Sequence, residues 1–381
     1  MAVIIVNTLL ILLALIIVFN FGVYSVLLNI LGRFRNIKHI IDPEHTPSVT
    51  LLIAAYNEGD VLKEKLENSL ALDYPKDLFE IVVVSDGSSD DTDDIVQAFE
   101  GQGVRLIVNS VNSGKATALN NGMKSIRSDI VVMSDANVMY QRNAIRQLVP
   151  HFADPDIGAV SGKVVLLNDG LSYADAENTY YLVEHKIQQL ESDTGNLIGA
   201  DGAMYALRRE LFRPLLKDTL LDDFVLSMGV IQQNKRLIFS PTAIGFEQNV
   251  ADIDTEYKRK VRIIAGGIQS LKRKTVWPPQ GDFLTALKLT CHKIMRWFIG
   301  PVIVLFLILS IISGILTGNF LLAFISCGLA VFCLLLQMLT SLFPRLQRIQ
   351  VINVCAYLAV MVKASGVGCY KAFTNQEISW R

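Results

Sequence analysis

The chain has 381 residues, 51% of them hydrophobic and only 19% charged, with a formal net charge of −1. A charged share below the quarter usual in soluble domains points to membrane-grade segments, and a balance this close to neutral argues against a nucleic-acid binder, which carries a basic excess. The cysteines (Cys291, Cys327, Cys333, Cys355 and Cys369) lie outside the central polar region and form no C-x-x-C pair, so they read as small buried apolar residues, and neither a zinc site nor a disulfide framework is expected.

Residues 2–31 are almost continuously apolar, broken only by Asn7, Asn20 and Asn29. This exceeds the roughly 20 residues that cross a bilayer core. Its length, and the lack of a preceding basic region, favour an anchor over a cleaved signal peptide. The basic flank at Arg33, Arg35 and Lys38 places the next, polar region in the cytoplasm by the positive-inside tendency.

From Val49 the pattern alternates between strand and helix. Residues 49–55 read as a buried parallel strand. Residues 59–72 read as a helix with Leu62, Leu66 and Leu70 on one face. A strand ending at Ser85 follows, then a helix opened by Asp90, Asp91, Asp93 and Asp94, where acids suit the positive helix end. Next come a strand at 104–108, a helix at 116–126, a strand ending at Met133 and a helix at 141–152. Such alternation predicts a doubly wound α/β sheet with right-handed crossovers. The rhythm then changes to a long strand at 157–167, a long helix at 173–191, and strands at 197–207 and 236–246 flanking a helix at 223–234.

Apolar spans follow at 298–316 and 320–342, and Arg345 and Arg348 suit a cytoplasmic loop after them. A third apolar segment, 351–370, is interrupted by Lys363, Gly366 and Gly368; it either spans or re-enters, which leaves the side of the C-terminal tail open. The expected division is an N-terminal transmembrane helix at 1–32, a cytoplasmic catalytic domain at 46–250, interfacial amphipathic helices at 251–297, C-terminal transmembrane helices at 298–370 and a tail at 371–381.

The chemistry-bearing pattern is an apolar strand running into an acid. Ile81, Val82, Val83 and Val84 lead to Ser85, Asp86 and Gly87; Ile130, Val131, Val132 and Met133 lead to Ser134, Asp135, Ala136 and Asn137. In an open parallel sheet the carboxyl ends of the strands line one ligand crevice, and carboxylates gathered there suit a hard divalent cation. Each feature also has a plainer reading. Tyr56, Asn57 and Glu58 serve equally as a helix cap, Asp86 and Gly87 as a turn, Lys115 as a solvated helix start, and Asp222 with Asp223 as an acidic helix N-terminus. Gly114 lets backbone approach a phosphate and Lys115 adds a point charge, although the spacing is not that of a Walker loop.

Taken in order, Ala54-Ala55-Tyr56-Asn57-Glu58, Val84-Ser85-Asp86-Gly87-Ser88-Ser89-Asp90-Asp91-Thr92, Asn112-Ser113-Gly114-Lys115, Ser134-Asp135-Ala136-Asn137 and Asp222-Asp223 resemble the motifs of family 2 glycosyltransferases of the GT-A fold, over about residues 47–269. The resemblance implies a Rossmann-like nucleotide-sugar-binding sheet with N- and C-terminal transmembrane helices. It implies nucleotide-sugar contacts at Ala55, Tyr56, Glu58, Asp86, Lys115, Asp135 and Arg262. Mg2+ or Mn2+ would be held by Asp135 and Asn137, Asp223 would be the general base with Asp222 supporting it, and Gly199, Asp201 and Gly202 would form an acceptor-side loop. The chain departs from the family's D-x-D at Asn137, whose amide brings no charge, and from its Q-x-x-R-W at Arg259 and Ile263 while keeping Arg262. His292, Arg296 and Trp297 loosely resemble the interfacial helix of membrane-bound, cellulose- and hyaluronan-synthase-like members, and alone read as an interfacial belt.

The function implied is a membrane-embedded inverting hexosyltransferase, metal-assisted, moving a sugar from a UDP-sugar to a growing polysaccharide or lipid-linked acceptor. The alternatives are a single-addition lipid glycosyltransferase, favoured by few spans and the missing Trp, and a non-catalytic nucleotide-sugar-binding assembly subunit. The implied partners are the donor, the acceptor, a bilayer (that of the plasma membrane), a second copy or accessory export proteins, and no nucleic acid. A transporter is disfavoured because the acids lie outside the apolar spans.

Overall fold

The structure, a computed structural model, describes residues 1–167, 173–248, 253–342 and 350–374. The expected loop arginines Arg345 and Arg348 and most of the expected tail lie outside the described residues. In chain order the helices are α1 (Ala2–Val18), α2 (Tyr24–Phe34), α3 (Gly59–Leu70), α4 (Thr92–Gln97), α5 (Lys115–Ser125), α6 (Ala144–Leu148), α7 (Tyr173–Asp193), α8 (Asp222–Gln232), α9 (Ile253–Lys272), α10 (Phe283–Lys288), α11 (Met295–Trp297), α12 (Ile299–Thr317), α13 (Leu321–Leu342) and α14 (Gln350–Thr374). The strands are β1 (Val49–Ala55), β2 (Phe79–Asp86), β3 (Val104–Asn109), β4 (Ile130–Ser134), β5 (Val138–Tyr140), β6 (Ile157–Leu167), β7 (Met204–Arg208) and β8 (Arg236–Gln248).

The strands form one mixed sheet in the order β3-β2-β1-β4-β7-β6-β8-β5. Strands β3, β2, β1 and β4 are parallel, as the apolar runs predict. Period-2 alternation assigns their side chains to two faces. Leu52, Val84, Val131 and Met133 pack on one side with Leu119, Met123 and Phe224. Leu51, Ile53, Val83 and Val132 pack on the other with Leu62, Leu66 and Leu148. The chain order reverses direction between β1 and β4, so the ligand crevice falls at that switch point.

The second half differs from a simple doubly wound sheet. β7 runs antiparallel to both β4 and β6, with Ser134 opposite Met204. The segment before β7 is therefore delivered to the same edge at which β4 ends. The strand expected at 197–207 is confined to Met204–Arg208, and the residues before it form a loop. Gly199 has φ +78°, and the loop's amides leave the ladder: Ala200 N donates to Ser227 Oγ at 3.0 Å and Asp201 N to Ser161 Oγ at 3.0 Å. The expected helix at 141–152 breaks into α6 and a 3-10 turn over Val149–Ala153, where Pro150 removes a backbone donor.

An unbroken helical path runs from α1 through a π turn at Phe19–Val23 into α2. Two helices, Ile299–Thr317 and the Leu321–Thr340 part of α13, are long and apolar enough to cross a membrane. The segment read as spanning or re-entrant is one continuous helix, α14. Its small residues are packing surfaces: Gly300 N donates to Ser365 Oγ at 2.8 Å, a Cβ on Gly300 would lie 2.5 Å from Val362 O, and Gly368 abuts the Ile264 side chain.

His292 and Trp297, read as members of an interfacial belt, are instead inside the protein, at 0% and 6% exposure. Trp297 meets the Phe224 ring edge-on at 5.7 Å between centroids. His292 Nδ1 lies 2.9 Å from Glu191 Oε1 and its Nε2 2.7 Å from Glu184 Oε1, each within hydrogen-bond distance. Tyr24 of α2 donates to the same Glu191 carboxylate, whose other oxygen accepts from Ile198 N at 3.1 Å. Arg296 closes the cluster on Glu184 at 2.7 Å. Burial opposes ionisation of Glu184, but the charges of His292, Arg296 and Lys293 hold its carboxyl well below the ordinary range. This network ties α2, α7 and the helices after α9 to one another through buried charge. Glu191→Ala strips acceptors from Tyr24, His292 and Ile198 at once, and removal of one partner from a buried ion cluster costs about 3–5 kcal/mol. A matching fall in the thermal midpoint of the detergent-solubilised full chain is expected, whereas an unchanged midpoint would show that the cluster contributes no net stability.

Candidate functional site

Three loops on the parallel half meet at the carboxyl edge of the sheet. Ala55 ends β1 as a buried residue, and the turn after it is held in an unusual conformation, with Asn57 at φ +53°. Asn tolerates the left-handed region better than most residues. Here its Oδ1 accepts from Ser89 N at 2.8 Å while Asn57 N donates to Ser88 Oγ at 3.1 Å. Glu58 N donates to Thr92 Oγ1 at 2.9 Å, and Glu58 stands at the N-cap position of α3 without a side-chain cap bond. Tyr56 and Glu58 thus sit on a turn clamped to the 86–92 loop.

Asp86 is fully buried at the end of β2. Its carboxylate accepts from Asn109 Nδ2 at 2.7 Å, Ser113 N at 3.0 Å and Gly114 N at 2.7 Å. Three of a carboxylate's roughly four acceptor positions are therefore filled by the protein. In this structure Asp86 shapes the loop that carries Lys115. Gly87, at φ +70°, lets the two loops approach, since a Cβ there would lie 2.5 Å from Asn112 N.

Lys115 is the hub. Its Nζ donates to Asp135 Oδ1 at 2.6 Å and lies 3.4 Å from Asp222 Oδ2, with 15% of its side chain exposed. Burial opposes its charge, but Asp135 and Asp222 outweigh it and hold the ammonium well above the ordinary range. The ammonium therefore joins the end of β4 to the first turn of α8.

Asp223 lies beside this pair. Burial first, and the Asp222 carboxylate second, push it up to about 7, against the opposing pull of Lys115 and of Phe224 N, which donates to Asp223 Oδ1 at 2.7 Å. Gly202 packs directly against it: a Cβ there would sit 2.7 Å from Asp223 Oδ2. Asp201 accepts from Ala203 N at 3.1 Å, and burial raises its carboxyl above the ordinary range. Gly199 lies against the Phe224 ring, so the whole 199–202 loop borders the start of α8.

Asn137 donates from Nδ2 to Glu247 Oε1 at 3.2 Å. Glu247 enters because β8 pairs with β5, Val138 opposite Glu247. Burial and then the Asp201 carboxylate push it up to about 7, with Arg259 opposing. Arg259 also lowers Asp201, so its guanidinium brings positive charge to this side of the crevice, and Arg262 follows it on α9. Further residues complete the site without having been read from the sequence. Lys65 is fully buried and donates to Ser134 Oγ at 2.7 Å and to Val138 O, holding the turn on which Asp135 and Asn137 stand. Burial lowers its ammonium to about 7. Tyr205, opposite Met133, has a buried hydroxyl with no hydrogen-bond partner among the described residues. Burial raises that phenol well above its ordinary range, followed by the charges of Asp222, Asp223 and Asp135.

The donors around Asp135 are carboxylate and amide oxygens, the set a hard cation takes. Among the described residues no three His, Cys, Asp or Glu side chains form a ready-made metal cluster. The arrangement fits a cation held by one or two protein oxygens and completed by substrate phosphates, as is common for Mg2+.

Residues 50–216 match the family described as Glycosyl transferase family 2. The chain is 26% identical over 259 residues to a poly-beta-1,6-N-acetyl-D-glucosamine synthase of Staphylococcus aureus, covering 66% of this chain and 60% of the relative. It is 25% identical over 291 residues to the enzyme of the same description from Staphylococcus epidermidis, covering 74% and 69%. The chain thus spans about 60% of the length of the first of these relatives. A mannosyltransferase from Pyrobaculum calidifontis, solved with GDP-Man and Mn2+, superposes with a TM-score of 0.77 at 20% identity, over 98% of this chain and 100% of that one. The shared architecture is the GT-A fold with flanking helices.

Lys115→Met leaves Asp135 and Asp222 facing each other without their cation. Loss of charge-assisted hydrogen bonds of this kind costs about 1.5–3 kcal/mol. The expected result is a lowered thermal midpoint that recovers partly on acidification, as the carboxylates are neutralised. A midpoint independent of pH in the variant would refute the bridging role.

Proposed function

We propose, from the premise that residues 50–216 form a family 2 glycosyltransferase domain, that this chain is a membrane-embedded inverting glycosyltransferase. It transfers a sugar from a nucleoside-diphosphate donor, a UDP-sugar in the first instance, to a growing polysaccharide or lipid-linked acceptor. The observation that carries this reading is the convergence of Lys115, Asp135, Asp222 and Asp223 at one switch point, with Gly202 against the last of them.

Each residue then has a task. The Tyr56–Glu58 turn and the loop organised by Asp86 border the nucleotide. Lys115 lies where a diphosphate would exchange with Asp135 and Asp222 as its counter-charge, and Arg262 or Arg259 adds charge from α9. Asp135, with Asn137 and Glu247 beside it, would hold the divalent cation, Mg2+ or Mn2+, which supplies charge neutralisation for the leaving diphosphate. Asp223 takes the proton from the acceptor hydroxyl as that oxygen attacks the anomeric carbon from the face opposite the leaving group. Gly199, Asp201 and Gly202 bring acceptor oxygens within reach of Asp223 without steric obstruction. A base near pH 7 is matched to this work, because it is both available and strong enough to accept the proton.

The Staphylococcus relatives are named as polysaccharide synthases, which supports the polymer version. The apolar helices support a bilayer location with the catalytic domain on the basic, cytoplasmic flank of α2. The sizes of products made from labelled donor in membranes separate a polymerase, which gives a ladder of long chains, from a single-addition enzyme, which gives one lipid-linked product.

Asp223→Asn is expected to lower transfer about 10²–10⁴-fold, the usual contribution of a positioned base. Asp135→Ala is expected to abolish transfer and the stimulation by added Mg2+ or Mn2+, with the fold retained by circular dichroism. Full activity in either variant defeats the assignment. Because Asp223 must be ionised to accept a proton and sits at about 7, kcat/KM should rise with pH and level off above about 7. A flat profile from acid to neutral pH would remove Asp223 as the base.

A further inference from the structure

We propose that a groove between α2 and α7, remote from the sugar-transfer machinery, seats one anionic phospholipid. Its phosphate is taken by Arg33 and Lys186, and an acyl chain lies over Val26, Ile30, Leu182 and Val183. The groove encloses about 550 Å³. On each helix the lining residues recur at helical spacing, with apolar positions followed by a cation further along the same face.

Leu182 and Val183 stand 66% and 52% exposed, opposite Val26 and Ile30 at 57% and 46%. Arg33 and Lys186 line the same groove. Neither has an ion-pair partner among the described residues, whereas Arg296 and Lys293 nearby are engaged by Glu184. Two unpaired cations beside an aliphatic floor match a phosphate joined to hydrocarbon. An inorganic phosphate would leave the aliphatic half bare. The position agrees with this choice. α2 continues the apolar α1 without a break, so on the membrane reading Arg33 stands at the basic end of that helical path, where headgroups would lie.

The groove is also a fixed one. Its α7 wall is pinned from the opposite side by Glu184 and Glu191, and Glu191 holds Ile198 at the start of the acceptor-side loop. A lipid wedged against α7 would therefore bear on the segment that leads to Gly202. The proposal rests on the membrane reading above, but lipid retention is counted without any transfer reaction, so the two fail separately.

The test uses the full chain reconstituted in phosphatidylcholine nanodiscs doped with phosphatidylglycerol, then released into detergent and weighed intact by native mass spectrometry. One phosphatidylglycerol per chain is expected to remain, and phosphatidylcholine is not. Each cation near a membrane surface contributes about fivefold, so Arg33→Ala with Lys186→Ala should weaken retention about thirtyfold. The charge-conserving pair Arg33→Lys with Lys186→Arg should retain the lipid, and both pairs should melt with wild type. Equal retention by the alanine pair, equal retention of phosphatidylcholine, or displacement of the lipid by inorganic phosphate would each overturn the proposal.

Discussion

One ammonium group organises the carboxyl edge of the sheet where the candidate site lies. Lys115 begins α5, Asp135 follows β4 and Asp222 opens α8, and the Lys115 Nζ is shared between the two carboxylates. Without that charge, the acids gathered at the edge would repel one another at short range in a medium of low polarity. The bridge also explains a difference within one sequence pair. Asp222 receives the cation at 3.4 Å, while Asp223 is displaced up to about 7 by burial and by Asp222 itself. Two adjacent acids in one helical turn thus stand in different surroundings, the circumstance by which acid and base tasks are commonly divided.

A second set of buried charges places this edge relative to α2 and the segment before α12. Glu184 and Glu191 on α7, His292 and Arg296 on the segment before α12, and Tyr24 on α2 form a connected cluster. Its last link, from Glu191 to Ile198 N, fixes the beginning of the loop that ends against Asp223. Trp297 does the same by packing, with its ring on Phe224, the residue after Asp223. The sheet and the helices around it are therefore joined by directional contacts. The 199–202 loop answers to α8 on one side and to α7 on the other.

Legibility varied with how local the cause was. The 49–55, 157–167 and parallel β2 and β4 strands were readable because buried parallel strands are continuous apolar runs whose identity needs no partner. The acids at their ends were readable for the same reason, since the end of such a run is visible in the chain. Glu247 was not readable: it looks like an ordinary strand residue until β8 pairs with β5 and brings it to Asn137. Lys65 carried no signal beyond its place next to Leu66, yet the space behind the Ser134–Val138 turn buries it fully. Tyr205 could not be told from any buried aromatic. His292 and Trp297 matched an interfacial belt by composition and were claimed instead by partners more than a hundred residues away and by Phe224, respectively. The nearest available signals were weak ones: an acid near the end of an otherwise apolar strand, and a lysine within a run of leucines.

Composition and local pattern were enough to establish the apolar ends, the alternation that makes a layered α/β domain, and which acids terminate strands, because each depends on residues within a few positions of one another. They also carried the family resemblance, which is a property of ordered short motifs. Only the tertiary structure decided the antiparallel insertion of β7, which carries Asp201 and Gly202 to the edge where Asp135 stands, and the sharing of Lys115 between two carboxylates. Strand order and side-chain pairing across long stretches of chain are set by how the whole core closes, and no segment holds that information by itself.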